Sequence, residues 1–371
     1  MQVPFIDLSR LSHKISDEVH AAWKGCLERC EFVGGPGVAR VEKSLTKILG
    51  VPRTVSCANG TDALIIGLQA MGVKRGMKVA LPNLTFWATY EAVSQLGATP
   101  ILVDISRADL QMDFEEFAKA HEEHRFQAAI LPHLYGWASA RLADFRNFSA
   151  GHGIALLEDG AQCFGVEVNG EPVLARAQVG TLSFYPAKVV GGAMDGGAIT
   201  LQTEEQEKLV RSLCNHGRSD HYAYAHVGWN SRMGGVQAAF LNAVLELVPD
   251  ILASRRKAAE YYRQCLLGHS RIHVFGPPSG VLENGYLNAF TVDGKSGQEV
   301  ADGLKARGIG SARTYPETMD AQPPTKGEAI PFGALSVSKA VCASIVNLPL
   351  FYKIREEECD AAVKALLDIV G

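Results

Sequence analysis

The stretch Cys57-Ala58-Asn59-Gly60-Thr61-Asp62-Ala63-Leu64 joins a short apolar run, Thr54–Ser56, to a longer amphipathic pattern, Thr61–Met71. The run is typical of a buried strand and the pattern of a helix. The same alternation continues through runs at Lys78–Leu81, Thr99–Val103, Ala128–Leu131 and Ile154–Leu157, and helical patterns at Thr85–Leu96, Asp113–His124 and Ala140–Gly151. Strands that alternate with helices indicate parallel strands with crossover helices on both faces. The sequence therefore predicts an α/β fold with a large, doubly wound, mostly parallel sheet.

A second domain is predicted where this alternation stops. A long helical segment, Val248–Leu267, leads through the Pro/Gly-rich stretch Phe275–Gly285 to a short strand-like run, Leu287–Val292. A chain of 371 residues is also long enough for two domains. We expect a large domain with an N-terminal arm at residues 1–247 and a smaller α+β domain at residues 248–371.

Composition favours a small-molecule partner. The formal net charge is −4, so the chain has no basic excess that would hold nucleic acid. The segment Met1–Arg10 lacks the pattern of a signal peptide, and no apolar run approaches the roughly 20 residues of a membrane span. We expect a soluble, cytoplasmic protein. The closest cysteines, Cys26 and Cys30, have no second pair to complete a zinc site, so no metal is predicted.

The first candidate site lies at the end of the first predicted strand. Gly60 would let the backbone approach a ligand, and Thr61 opens a helix whose free N–H groups favour an anion such as a phosphate. A plain Asn-Gly turn with Thr61 as the helix N-cap is the alternative interpretation.

The second candidate site is the acidic pair Glu158-Asp159, which ends an apolar strand that should be buried on both faces. A buried carboxylate needs a partner, and a protonated pyridine nitrogen would supply one. The alternative is that Asp159 caps the next helix.

The third candidate site is the segment Leu182-Ser183-Phe184-Tyr185-Pro186-Ala187-Lys188, which a Gly-rich stretch follows. A lysine that loses its charge in such apolar surroundings becomes a usable nucleophile toward an aldehyde. Taken alone, a lysine in this position is more often a solvated surface residue. Together, however, a phosphate cradle, a carboxylate for a ring nitrogen and an amine for an aldehyde are the three attachments that pyridoxal 5'-phosphate (PLP) requires.

Ordered motifs along nearly the whole chain resemble the DegT/DnrJ/EryC1/StrS family of sugar aminotransferases, which have the aspartate-aminotransferase (type I) fold of PLP enzymes. The resemblance rests on Val3–Leu8, Phe32–Pro36, Ser56–Leu64, Pro82–Thr89, Pro100–Asp104, His133–Gly136, Glu158–Gly165, Ser183–Lys188, Asp195–Ala198, Asn215–Gly217, Gly228–Arg232, Gln237–Ala239 and Asn347–Leu350.

This resemblance implies specific roles around the cofactor. Lys188 would carry PLP as a Schiff base, Asp159 would meet the pyridine nitrogen, and Gln162 would lie near the ring hydroxyl. The phosphate would be held by Gly60, Thr61 and Ser183. Phe86 would stack on the cofactor ring, with ordinary core packing as the alternative.

The resemblance also implies a homodimer with composite active sites. Asn230 would reach from one subunit to the phosphate in the other. Arg232 could meet an anionic donor or a sugar carboxylate, although a structural ion pair beside the helix Val236–Leu247 is an equal alternative.

Departures from the family pattern concern the substrate rather than the cofactor. Where the family often has histidines, this chain has Thr314 and Asp320, while Tyr315 remains a candidate substrate contact. Related dehydratases carry histidine at the position of Lys188, so the lysine favours transamination. We therefore expect transfer of an amino group from an amino acid, in first place glutamate, to a nucleotide-linked keto-sugar. The alternatives are a PLP-binding regulatory or sensor protein, a PLP-dependent sugar dehydratase, and a nucleotide-binding Rossmann protein, for which the chain lacks the Gly-x-Gly-x-x-Gly motif.

Overall fold

Strands and helices alternate in the computed structural model, which describes residues 1–371. The strands are β1 (Arg53–Cys57), β2 (Lys78–Pro82), β3 (Thr99–Val103), β4 (Ala128–Pro132), β5 (Ala155–Asp159), β6 (Glu167–Val168), β7 (Glu171–Pro172), β8 (Val179–Ser183), β9 (Gly197–Leu201), β10 (Ile272–Phe275), β11 (Val281–Leu282), β12 (Ala289–Val292) and β13 (Ile330–Pro331). The helices are α1 (Ser9–Arg29), α2 (Pro36–Leu49), α3 (Gly60–Ala70), α4 (Trp87–Gln95), α5 (Phe114–His124), α6 (Leu142–His152), α7 (Glu204–Cys214), α8 (Gly235–Glu246), α9 (Val248–Leu266), α10 (Gly297–Ala306), α11 (Ser336–Ser344) and α12 (Glu356–Val370). Each of the five strands predicted between residues 54 and 157 overlaps one of β1 to β5.

The central sheet has eight strands in the order β1-β9-β8-β5-β4-β2-β3-β13. Strand β9 runs antiparallel to both of its neighbours, and every other pairing in the sheet is parallel. The carboxyl ends of the parallel strands therefore meet at one edge, where ligands bind in open α/β sheets. The last strand, β13, comes from the part of the chain beyond residue 247.

Apolar side chains cover both faces of this sheet, which is why its strands read as continuous apolar runs. One face packs against α1, α2, α5, α6 and α8, with Val41, Leu45 and Phe117 in its core. The other face packs against α3, α4 and α7, with Ile66 and Leu68 in its core. The sheet is doubly wound, as the sequence predicts.

A third apolar cluster lies outside the central sheet. It joins the second half of α9 to α10, α12 and the antiparallel pair β10–β12, and it includes Val3 from the N-terminal segment. A smaller cluster, with Trp137 and Leu287, connects this part to the loops at the edge of the sheet.

Helices α8 and α9 meet at a bend of 63°. No single helix has both the length and the apolar composition needed to cross a membrane, and these two helices pass that test only when they are taken together.

The four helices predicted between residues 61 and 151 all begin one or two residues away from their predicted starts, α5 at Phe114 rather than Asp113 and α6 at Leu142 rather than Ala140. Helix α3 begins at Gly60, and its N-cap is Asn59, whose side chain accepts a 2.8 Å hydrogen bond from the Asp62 N–H. The alternative with Thr61 as the N-cap is therefore wrong. Helix α4 begins at Trp87 rather than Thr85, because Phe86 has an extended backbone.

Candidate active site

A cavity of about 870 Å³ opens at the carboxyl edge of the central sheet. Its walls come from the loops after β1, β2, β4, β5 and β8, from the N-terminal arm, and from segments near residues 286, 315 and 351. Eight of the ten residues proposed from the sequence line it: Gly60, Thr61, Phe86, Asp159, Gln162, Ser183, Lys188 and Tyr315. Residues far apart in the chain thus converge on one site.

The start of α3 forms an anion cradle in this cavity. The N–H groups of Gly60 and Thr61 donate no hydrogen bond within the chain, because the Asn59 side chain caps the N–H of Asp62 instead. A Cβ on Gly60 would lie only 2.7 Å from the Cβ of Ser183, so this approach requires glycine. Two free N–H groups at a helix N-terminus beside a serine hydroxyl fit a phosphate.

Asp159 lies at the end of β5, and its carboxylate is only partly satisfied. Its Oδ1 accepts hydrogen bonds from the Ala161 N–H at 3.0 Å and from the Thr181 hydroxyl at 3.4 Å, whereas Oδ2 has no partner. Burial raises the pKa of Asp159, although the Ala161 N–H and the charge of Lys188 partly offset this effect. A carboxylate with one open oxygen fits a protonated ring nitrogen. The alternative helix-capping role is wrong, because turns follow Asp159.

A charged network behind Asp159 was not predicted from the sequence. Glu158 is fully buried, accepts two 2.8 Å hydrogen bonds from the Arg146 guanidinium, and lies 3.0 Å from His133 Nε2. Burial would raise the pKa of Glu158, but the hydrogen bonds from His133 and Arg146 outweigh it and lower that pKa. Glu158 is therefore a buried carboxylate whose charge is already matched, which leaves Asp159 as the one available to a ligand.

Lys188 projects into the cavity from the loop after β8. It is half-buried, its Nζ makes no hydrogen bond, and this atom lies 5.2 Å from the centre of the Tyr286 ring. The loop is tightly folded, since the Lys188 N–H bonds the Tyr185 carbonyl at 2.8 Å and a Cβ on Gly191 would collide with the Pro186 carbonyl oxygen. The alternative interpretation of Lys188 as a solvated surface lysine is therefore wrong.

Gln162 and Tyr315 contact each other in the wall of the cavity. The Gln162 Nε2 donates a 2.7 Å hydrogen bond to the Tyr315 hydroxyl, and the Gln162 Oε1 accepts one of 2.7 Å from the Tyr135 N–H. Burial raises the pKa of Tyr315 well above its ordinary value. The Phe86 ring centre lies 6.0 Å from that of Tyr315, and Phe86 is 56% exposed, so the core-packing alternative for Phe86 is wrong.

Asn230 and Arg232 lie outside this cavity. Both are exposed, and the Arg232 guanidinium contacts the side-chain oxygens of Asn230 and Asn215. Arg232 has no acidic partner, so the structural ion pair considered from the sequence does not form within the chain. Within one chain these two residues are separate from the other eight.

The fold and this site can be compared with known proteins. The family model of the DegT/DnrJ/EryC1/StrS aminotransferase family matches residues 13–367. The chain belongs to this family. A Pseudomonas aeruginosa relative, UDP-2-acetamido-2-deoxy-3-oxo-D-glucuronate aminotransferase, is 33% identical over 94% of this chain and 95% of its own.

Solved structures extend the likeness to the whole fold. S. venezuelae DesV, crystallised in complex with a ketimine intermediate, is 28% identical with a TM-score of 0.94, covering 99% of this chain and 98% of its own. NtdA from Bacillus subtilis, with bound cofactor PMP, is 25% identical with a TM-score of 0.89, covering 100% of this chain and 85% of its own.

Four expectations from the sequence are confirmed by these comparisons: the family, the type I fold of PLP enzymes, PLP as the cofactor, and aminotransferase activity. The same family assignment removes the nucleotide-binding Rossmann protein from consideration.

Proposed function

We propose that this enzyme moves an amino group from an amino acid, in first place glutamate, to a nucleotide-linked keto-sugar, as a step in making an amino sugar. The observation that carries the proposal is the convergence of an anion cradle, a carboxylate with an open oxygen and an unpaired lysine on one cavity. The residues present fit PLP at each of its three attachment points.

The geometry of the site supports the roles that we propose for the binding residues. The free N–H groups of Gly60 and Thr61, with the Ser183 hydroxyl, would hold the phosphate. Gln162 would bind the ring hydroxyl, and its hydrogen bond to Tyr315 at 2.7 Å supports a fixed orientation. Phe86 would cover one face of the ring.

Proton transfer would be carried by Lys188, and Asp159 would support it. When bound, PLP supplies an aldehyde that exchanges an amino group and a ring that accepts the electron pair left at the donor α-carbon. Lys188 would hold the aldehyde in the resting enzyme, and its freed amine would then take the proton from that carbon. Asp159 would accept a hydrogen bond from the protonated ring nitrogen and so stabilise its charge, which the open Oδ2 supports. The reverse transfers would deliver the amine to the keto-sugar.

The sugar substrate is proposed from the relatives and from the cavity. A relative with 33% identity acts on a UDP-linked 3-oxo sugar, according to its name. Tyr315 would contact the sugar. Asp320, where the family often has a histidine, instead fixes its segment by hydrogen bonds with the Asn83 side chain at 3.0 and 2.9 Å and by an ion pair with Lys339 at 2.9 Å. The Asp320 carboxylate therefore already has partners within the chain, so residues near it, rather than Asp320 itself, would contact the substrate.

A homodimer with composite sites would give Asn230 and Arg232 a role. Exposed apolar side chains surround their segment, with Tyr222 at 83% and Val227 at 88% exposure. Phe32 and Val33 are also exposed, and Val33 forms an isolated β-bridge with Gly234, two residues after Arg232. Such a surface is typical of an interface. Asn230 would then reach the partner's phosphate, and Arg232 would meet an anionic group of a substrate.

We further propose the division into a large domain, residues 1–247, and a small domain, residues 248–371. The separate apolar cluster beyond residue 257 supports this division, although β13 joins the central sheet. A cytoplasmic location fits the proposed substrates, since free amino acids and nucleotide-linked sugars are cytoplasmic metabolites.

The deciding experiment is a panel of nucleotide-linked keto-sugars, each incubated with the PLP-loaded enzyme and glutamate. Formation of an amino sugar with matching release of 2-oxoglutarate would support the proposal. Release of 2-oxoglutarate without any sugar product would support the reaction with the amino donor but would reject the tested class of keto-sugars as acceptors. No release from any amino acid would favour a regulatory protein, and loss of a sugar hydroxyl without amination would indicate a dehydratase.

A further inference from the structure

Arg255, on α9, is a buried cation whose partners are all neutral. It is 7% exposed and lines the cavity. Its Nε donates to the Gly285 carbonyl at 3.0 Å, and its Nη2 donates to the carbonyls of Tyr286 at 2.9 Å and Leu350 at 3.1 Å. Burial lowers the pKa of Arg255 to about 10, so the side chain is still charged at neutral pH. No carboxylate of the chain forms an ion pair with it.

The remaining nitrogen of Arg255 is free. Nη1 makes no hydrogen bond within the chain. It is also not among the polar atoms that are both fully buried and without a hydrogen-bond partner. Because the Nε and Nη2 atoms face backbone carbonyls and the residue lines the cavity, Nη1 is the nitrogen that can face a ligand. The cavity wall also includes Phe5, Leu8 and Phe351, and its residue Asp7 already accepts hydrogen bonds from Ser9 and Arg10.

Arg255 and Lys188 are the only lysine or arginine residues in the cavity wall. Both contact Tyr286, since Arg255 bonds its carbonyl oxygen and the Lys188 Nζ lies over its ring. The two cationic side chains thus lie beside the same residue of the cavity wall, Arg255 at its backbone and Lys188 at its ring. An amino acid whose amine is at Lys188 could extend a second charged group toward Arg255.

A buried guanidinium without a counter-ion is unfavourable, and a ligand that supplies the anion removes that penalty. Hydrogen bonds from arginine to carboxylate are charge-assisted and stronger than those to neutral carbonyls. We propose that Arg255 Nη1 is the recognition point for a substrate carboxylate at a distance from Lys188. This rests on the proposed function, and the carboxylate could belong to a dicarboxylic amino donor or to an acidic keto-sugar.

A purely structural role for Arg255 predicts different behaviour, and its neighbour supplies the matched control. Arg256 also bonds two backbone carbonyls, those of Glu283 at 2.6 Å and Gly165 at 2.7 Å, but it does not line the cavity. Arg255→Met and Arg256→Met therefore both remove carbonyl contacts, whereas only the first removes the free nitrogen from the cavity.

The donor arm measures the first half-reaction of PLP-loaded enzyme with glutamate and with glutamine, without any sugar. We expect Arg255→Met to raise the KM for glutamate at least about tenfold and to leave that for glutamine within about twofold. The acceptor arm uses keto-sugars with and without a carboxylate. A KM increase confined to the acidic sugar would assign the subsite to the acceptor instead. Equal responses of the two variants in both arms would overturn the proposal.

A binding measurement covers the case in which Arg255→Met does not fold. Calorimetry on the wild-type protein should show glutarate binding at least about tenfold more tightly than its monoamide, and Arg255→Lys should reduce this ratio. Equal binding of the two ligands to the wild-type protein would overturn the subsite. Failure of the proposed function gives a different result from failure of the subsite. In that case the wild-type enzyme would release no keto acid from any amino donor, whether or not it prefers glutarate to the monoamide.

Discussion

Gly60 and Ser183 lie so close together that a Cβ on Gly60 would be 2.7 Å from the Cβ of Ser183. Gly60 begins α3 shortly after β1, Ser183 ends β8, and β9 separates these two strands in the sheet. We expect Gly60→Ala to weaken PLP binding at least about tenfold, because overpacking costs about 1 to 3 kcal/mol and displaces the serine from the anion cradle. Absorbance titration of the cofactor-free protein measures this effect.

Gly151→Ala is the control for that substitution. Gly151 lies within α6, and a Cβ there would meet no atom within 4 Å. Alanine at this position should leave PLP binding unchanged and stabilise the helix by up to about 1 kcal/mol. Undiminished PLP affinity in Gly60→Ala would show that the phosphate lies elsewhere.

Lys188→Ala tests the proposed proton transfer. The amine of Lys188 has no hydrogen bond and projects into the cavity, so it is available to a bound donor. We expect the rate of keto-acid release from glutamate to fall at least about 100-fold, since positioned general bases contribute factors of this size or more. Rapid mixing of PLP-loaded enzyme with glutamate provides the rate. Lys208→Ala, which removes an exposed lysine paired with Glu204, should behave as wild type. A Lys188→Ala rate near that of this control would remove Lys188 from the chemistry.

The sequence predicts the parts of the site that depend on short local motifs. Gly60 and Asp159 are each at the end of a strand, and strand ends can be recognised from apolar runs. Because parallel strands bring such ends to one edge of the sheet, the separate motifs together predict one common site.

The parts that depend on distant partners could not be predicted in this way. Whether Glu158 or Asp159 remains open to a ligand depends on Arg146 and His133, which reach Glu158 from other elements. The position of Arg255 in the cavity depends on carbonyl oxygens 30 and 95 residues away in the chain. Pairings of this kind leave no periodic signal in a sequence.

Glu358 should make stability depend on pH. Its carboxylate accepts hydrogen bonds from Arg10 at 2.6 and 3.0 Å, which tie α1 to α12, and from Arg355 at 2.8 and 3.0 Å. Burial alone would raise the pKa of Glu358, but these hydrogen bonds outweigh burial and lower that pKa to about 2. Because the folded-state pKa is below the ordinary value, the stabilisation is complete above about pH 4.5 and is lost as the pH falls toward 2.

Glu358→Gln should therefore unfold more easily at pH 7, by about 1 to 2 kcal/mol, and this difference should shrink between about pH 4.5 and pH 2. Thermal unfolding of both proteins across this range measures it. Glu357→Gln, which alters an exposed neighbour paired only with Arg355, should show a smaller difference at pH 7. A Glu358→Gln difference that stays constant with pH would contradict the assignment of the stabilisation to this carboxylate.

Asn230 gives a direct test of composite active sites. It is exposed and outside the cavity of its own chain, so its substitution should affect the partner's site. Asn230→Asp would place a carboxylate beside the partner's phosphate and should weaken PLP binding there by charge repulsion. The homodimers of Asn230→Asp and of Lys188→Ala should both be nearly inactive.

A heterodimer of these two variants, isolated by different affinity tags, is compared with the two homodimers. If sites are composite, one site combines Lys188 of the first chain with Asn230 of the second and is intact, so the heterodimer should have about half the activity of the wild-type dimer while both homodimers stay near background. If each site is formed by a single chain, Asn230→Asp leaves the cavity of its own chain unchanged, so its homodimer should keep the activity of the wild type, and this outcome would reject the composite site. A monomeric protein in sedimentation experiments would also reject the composite site, because the exposed surface of Tyr222 and Val227 would then have no second copy to cover it.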